Sequence, residues 1–219
     1  VEQTRAVVGY RHFTADSISL VYSSNINPTG DRNSDSTIGP VLVDKAGDYA
    51  VSFTMDGLSS DQLYYYRIKV GAEILDPGKI QYFRTLPLAG EPFTFTVFSD
   101  VANHDADRTA PAYKNGGFKS ALDPLPTFAF QIGDFDHSDP TTEEEMRRMH
   151  RYMRGPYFGH GYALGTHILT KMGFHHMWDD HDYCGQDTDK SCLLRTEAIK
   201  AFRDYYPRDD YPDEADGNY

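Results

Sequence analysis

Short runs in which apolar and polar positions alternate fill the first part of the chain. Ser17 to Ser23 alternates partly, and Val41 and Val43, then Tyr49, Val51 and Phe53, give further short runs. In Tyr64-Tyr65-Tyr66-Arg67-Ile68-Lys69-Val70 a period of two puts Tyr64, Tyr66, Ile68 and Val70 on one face. Ile80 to Arg84 makes a last strand. Turn-forming residues separate these runs. The stretch 24–39, rich in Asn, Asp, Ser and Gly, reads as a loop, and Asp76-Pro77-Gly78 as a turn.

The pattern changes after Pro87. Pro92 to Ser99 is a strand that stops at Asp100. Thr127 to Ile132 is a nearly continuous apolar run that stops at Gly133-Asp134, and Gly173 to Trp178 is a third that stops at Asp179-Asp180-His181-Asp182. Such runs read as buried strands of a parallel sheet. Thr142 with Glu145 forms a capping box, and Met146, Met149 and Met153 fall on one helical face that reads as core. Glu143–Arg147 and Glu144–Arg148 have the spacing of favourable pairs on the exposed side. A weaker helix is expected near Thr109 with Pro111 in its first turn, and another from Thr196 to about Tyr205 with Ile199 and Phe202 facing inward.

The two patterns predict two domains. Residues 1–87 read as an all-β sandwich of immunoglobulin or fibronectin III type, and residues 92–219 as an α/β domain. Leu58 followed by Tyr64 resembles the tyrosine corner of such sandwiches, with Asp61 where the turn usually has glycine. No catalytic constellation occurs in this first segment, which reads as a spacer or as a wall beside a site, with a binding module as the alternative.

Composition narrows the function. The 219 residues hold 21 Lys+Arg against 33 Asp+Glu, a formal net charge of -12. That balance argues against non-specific nucleic-acid binding and against anionic membrane surfaces. No apolar run reaches the roughly 20 residues needed to span a bilayer. The chain starts at Val1 without a charged-then-apolar leader, so a removed targeting segment or a processed piece is expected. Cys184 and Cys192 are close enough for a disulfide, with two free thiols as the alternative.

The chemistry sits at the strand ends. Ligands of open α/β sheets collect beyond the carboxyl ends of the strands. Carboxylates gathered there repel one another unless a cation is present, and Asp with His suits zinc, iron or manganese. Gly133-Asp134-Phe135-Asp136-His137 and Trp178-Asp179-Asp180-His181-Asp182 resemble two metal motifs of the PhoD-like alkaline phosphatases, within the calcineurin-like metallophosphoesterases. The segment from Gly57-Leu58 through Tyr64-Tyr65-Tyr66-Arg67 to Phe83-Arg84-Thr85-Leu86-Pro87 resembles the small β domain that precedes their catalytic domain.

The resemblance implies a phosphatase or phosphodiesterase with a binuclear metal centre and a metal-bound hydroxide as nucleophile. It implies Asp100, Asp134, His137 and Asp180 as metal ligands, with Asp134 bridging, and His181 as the catalytic group beside the phosphoryl group. The implied cofactors are iron with calcium, or alternatively zinc or manganese. The implied location is periplasmic or secreted. His137 stands where many relatives have Tyr, and Ser99-Asp100-Val101-Ala102-Asn103-His104 departs from the usual first motif. His104 reads as a loop residue, His175 and His176 as structural, and Arg151 and Arg154 as part of a solvated helix face. The family's remaining ligands have no counterpart after Asp182, so a second chain or a continuation is expected to complete the catalytic domain. Two other readings stand beside this one: a purple acid phosphatase, and a non-catalytic assembly or adhesion protein built on a degenerate phosphatase fragment.

Overall fold

The computed structural model describes residues 1–75, 79–101, 120–121, 125–154 and 164–208. The chain divides into two compact units, Val1–Phe93 and Thr94–Tyr219. The expected turn at Asp76-Pro77-Gly78, the helix near Thr109, His104 and the final residues of the chain lie outside the described residues.

The first unit holds strands β1 (Arg5–Arg11), β2 (Asp16–Ser23), β3 (Ser36–Val43), β4 (Ala50–Asp56), β5 (Leu63–Val70), β6 (Glu73–Ile74) and β7 (Gln81–Arg84). β1 pairs with β4 in one antiparallel sheet. The other sheet has the order β3-β2-β5-β6, with β7 also on β5. The alternation in the sequence becomes one core: Ala6, Ile18, Leu20, Phe53, Met55, Tyr66, Ile68 and Phe83 are buried together, with Tyr64 and Val70 packed against them. Burying each large apolar side chain contributes about 1.5–3 kcal/mol. The Ser59 N–H donates to the Tyr64 hydroxyl at 2.9 Å. Asp61 takes the left-handed conformation with φ 52, and its carboxylate accepts from Arg84 Nε at 2.7 Å.

Two strands depart from the expectation. β1 was not legible, because Ala6-Val7-Val8-Gly9-Tyr10 has no polar alternation. β3 begins at Ser36, inside the stretch expected to be loop; its second half holds the expected Val41 and Val43 run, while its first half, Ser36 to Gly39, is mostly exposed and polar.

The second unit is built on β8 (Phe95–Phe98), β9 (Phe128–Ile132) and β10 (Gly173–Met177), parallel and in the order β10-β9-β8. Around them lie α1 (Glu143–Arg154), a π-helical turn (Gly165–Leu169), the short α2 (Asp180–Tyr183) and α3 (Arg195–Tyr205). Glu145 N–H donates to Thr142 Oγ1 as the capping box requires, but the Glu145 carboxylate reaches back to Thr141, accepting from its N–H at 2.8 Å. Met146, Met149 and Met153 are buried. Arg147 is buried rather than solvated: it donates to Glu143 and, at 2.9 Å, to Asp204, which ties α1 to α3. Glu144 pairs with Arg151. Arg154 lies over the Tyr206 ring at 4.9 Å.

Register separates the two faces of this sheet. Ala129 and Gln131 of β9 align with Phe174 and His176 of β10 and with Thr96 and Phe98 of β8. Ala129, Phe98 and Phe174 pack into a core with residues of α1 and α3, such as Met146 and Phe202. The opposite face carries Phe95, Val97, Phe130, Ile132 and Met177. Phe95, Val97, Ile132 and Met177 are exposed, at 52%, 48%, 49% and 42%. On that same face Phe128 is buried and Phe130 and His175 are half-buried. Among the described residues no helix is long and apolar enough to cross a membrane.

Candidate metal centre

The carboxyl ends of β8, β9 and β10 bring the strand-end acids together. Asp100 and Asp134 both adopt the left-handed conformation, with φ 50 and 54. Non-glycine residues held there store backbone strain, which clusters at functional sites. The loops after β8 and β9 run side by side: Asp100 N–H donates to Gly133 O at 3.4 Å and Val101 N–H to Asp134 O at 3.2 Å. Gln131 braces the β9 end from below, donating to Gly133 O at 2.7 Å and accepting from Gly133 N–H at 2.9 Å. Gly133 has φ 109, and a Cβ there would lie 2.8 Å from Cβ of Asp179. Only glycine lets the β9 and β10 ends approach this closely.

Four residues in the motif after Trp178 do four jobs. Asp179 is the N-cap of α2 and accepts from Asp180 N–H at 2.9 Å. Asp180 accepts from His181 N–H at 2.9 Å and from Asp187 N–H. His181 Nδ1 lies 2.6 Å from Asp139 Oδ1. Asp182 is buried and accepts from the backbone amides of Phe135 at 2.7 Å and Asp136 at 3.1 Å.

Asp134, His137 and His181 each offer a ligand atom, and these atoms lie within 4.8 Å of one another. His137 Nε2 is 3.7 Å from Asp100 Oδ1 and 3.8 Å from Asp134 Oδ2. The His137 and His181 rings are 4.3 Å apart. Asp134 Oδ1 is buried and has no hydrogen-bond partner among the described residues. Asp180 lies outside this group, with both oxygens engaged by amides. Sequence reasoning therefore named Asp100, Asp134, His137 and His181, which the fold gathers, but gave no role to Asp139 or Asp182.

Charge follows from this geometry. Burial raises the Asp134 carboxyl above its usual range, His137 and His181 oppose that, and Asp179 and Asp180 add to it. Burial pulls His181 down, but the hydrogen bond to Asp139 and the charges of Asp139, Asp180 and Asp134 outweigh it, so the ring stays protonated above its usual pH. Burial pushes Asp182 up to about 7 despite its amide donors. The Asp134 carboxylate, with Oδ2 3.8 Å from His137 Nε2 and Oδ1 unpartnered among the described residues, has further acids close by, and such a set fits a bound cation.

The comparisons bear on the fold. A solved structure of PhoD superposes with a TM-score of 0.68, covering 98% of this chain at 16% identity. The chain shares the fold of the corresponding part of PhoD. It spans 46% of the length of PhoD. The purple acid phosphatase PPD1 from yellow lupin (Lupinus luteus) superposes with a TM-score of 0.57, covering 90% of this chain and 37% of its own, at 13% identity. No protein-family model matches the chain, and neither does any curated protein.

Proposed function

We propose that the chain is part of a metal-dependent phosphoric ester hydrolase, a phosphatase or phosphodiesterase of the PhoD type. The observation that carries this reading is the Asp134 carboxylate, which lies within ligand spacing of His137 and His181 and whose buried Oδ1 has no hydrogen-bond partner among the described residues. Asp134, His137 and Asp100 would hold the metal, and Asp180 would join a second ion once its carboxylate turns from the amides. Two ions, iron with calcium or alternatively zinc or manganese, would neutralise phosphoryl oxygens and lower the pKa of the attacking water.

The residues of the chain supply the rest. A carboxylate only accepts, so Asp139 fixes the proton of His181 on Nδ1. Nε2 is then left to face the substrate and, when protonated, to donate to the leaving oxygen. The half-buried setting of His137 and His181 limits water around that proton transfer.

The second face of the β8-β9-β10 sheet, where Val97, Ile132 and Met177 are exposed, bears on the partner. Parallel sheets are covered on both faces. The reading gives further cover to a polypeptide layer corresponding to the part of PhoD that this chain does not span, supplied by a continuation or by a second chain. The same exposed residues also favour the alternative of an assembly or adhesion protein. The Cys184–Cys192 disulfide supports an extracytoplasmic location. We read the first unit, with its two antiparallel sheets, as an immunoglobulin- or fibronectin III-like domain.

The test is hydrolysis of p-nitrophenyl phosphate and bis-p-nitrophenyl phosphate by the natively isolated protein with its co-purifying chains. Asp134→Asn should remove nearly all of that activity. Hydrolysis that is absent, or indifferent to this substitution, would favour the assembly reading.

A further inference from the structure

Asp182 stands outside the Asp134, His137 and His181 group, yet it joins the loops that carry it. Its two carboxylate oxygens are divided between two elements. Oδ1 accepts from the amides of Phe135 and Asp136, at 2.7 and 3.1 Å, on the loop after β9. Oδ2 accepts from the amide of Asp179, at 3.3 Å, on the loop after β10. The two amides held by Oδ1 are those between Asp134 and His137, so they fix the backbone that separates two candidate ligands. The amide held by Oδ2 begins the turn that presents His181.

The surroundings leave the carboxylate little freedom. Asp182 is 2% exposed. Phe135, fully buried, anchors the β9 loop against the His176 ring at 4.8 Å. On the other side of the same junction, Gly133 lets the loops close to a distance that a side chain would forbid. The junction is thus set from two directions, by an attractive carboxylate and by an absent Cβ.

We propose that Asp182 is a positioning residue for the metal centre, which holds the β9 and β10 loops at the separation that brings Asp134, His137 and His181 to ligand spacing. The proposal rests on the reading of Asp134 and His137 as metal ligands with His181 beside them. It makes a chemical distinction that a general stabilising role does not. An Asn side chain has the same shape but one acceptor oxygen, so it serves one loop and turns an NH2 group toward the amides of the other.

The experiment is titration of the metal-free protein with Co2+, followed by calorimetry and by the visible absorption of the bound ion, for the wild type and Asp182→Asn. Thermal unfolding of the metal-free forms is recorded alongside. The expected result is a loss of Co2+ affinity of about 10-fold or more, with an altered visible spectrum, well below the unfolding temperature. Wild-type affinity and spectrum in Asp182→Asn, whatever its unfolding temperature, would overturn the proposal. No Co2+ binding by the wild type would instead remove the metal-centre reading on which it rests. Should Asp182→Asn not fold, Gly133→Ala presses on the same junction without touching the carboxylate. Weakened Co2+ binding there supports the proposal, and unchanged binding overturns it.

Discussion

The Asp139 carboxylate meets His181 Nδ1 at 2.6 Å, across 42 residues of sequence. This contact sets both the tautomer and the orientation of the ring, because the acceptor can only be served by an Nδ1 proton. Asp139→Asn offers an amide that can present either its oxygen or its NH2, so the tautomer is no longer imposed. We expect kcat toward p-nitrophenyl phosphate to fall about 10–100-fold, with a smaller change in KM. Steady-state kinetics check this, and an unaltered kcat would exclude His181 from the proton transfer.

A second prediction concerns acid stability. His150 and His176 are buried in the second unit, and His176 stacks on Tyr206 at 4.2 Å and 17°. Burial, reinforced by Arg154, Arg147 and Arg151, lowers His150 to about 3. Burial, with His150 and Arg154, lowers His176 well below its usual value. The folded chain therefore refuses protons that the unfolded chain takes up below about 6.5. Stability from this pair is fully present above that pH and is lost as the pH falls toward 3. Asp182 works in the opposite sense between its unfolded value and about 7. The pair is isolated by comparing the wild type with His176→Phe, which keeps a ring in the stack. Urea midpoints measured from pH 8 to pH 4 should favour the Phe variant increasingly as the pH falls. A constant difference would contradict the argument.

The third prediction concerns the Cys184–Cys192 disulfide, which spans 8 residues directly after α2. Closing a loop of that length in the unfolded chain stabilises the fold by about 2.5 kcal/mol in the chain-entropy model. The double substitution Cys184→Ser with Cys192→Ser should lower the stability of the second unit by about that amount. Because Asp187, inside this loop, donates to Asp180, the same variant should also weaken metal binding. Denaturant unfolding and metal titration of the variant check the two parts separately.

How far the sequence could be read depended on where each signal was stored. β2, β4 and β5 carry their pattern locally, as alternation, and the parallel strands carry theirs as apolar runs that end in acids. β1 escaped because Val7, Val8 and Gly9 break the alternation, and the first half of β3 because Ser36 to Gly39 continue a polar, turn-like stretch, whereas Val41 and Val43 marked its second half. The candidate metal motifs were visible because Gly133 to His137 and Trp178 to Asp182 are contiguous stretches that resemble motifs of a known family. Asp139 and Asp182 act on partners 42 and 47 residues away. No spacing rule reports such pairs, and only the approach of the loops after β9 and β10 creates them. The exposure of Val97, Ile132 and Met177 was missed for a related reason: an apolar run does not record how much of each strand's second face is covered.

The central claim is that the strand-end acids and histidines hold metal. Elemental mass spectrometry of the natively isolated protein, with every co-purifying chain retained, tests it most directly. The account predicts about two metal ions per copy, as two-metal phosphoryl transfer requires, falling sharply in Asp134→Asn while the β-rich fold persists. A wild-type protein without stoichiometric metal, or one whose metal content is the same in Asp134→Asn, would contradict it.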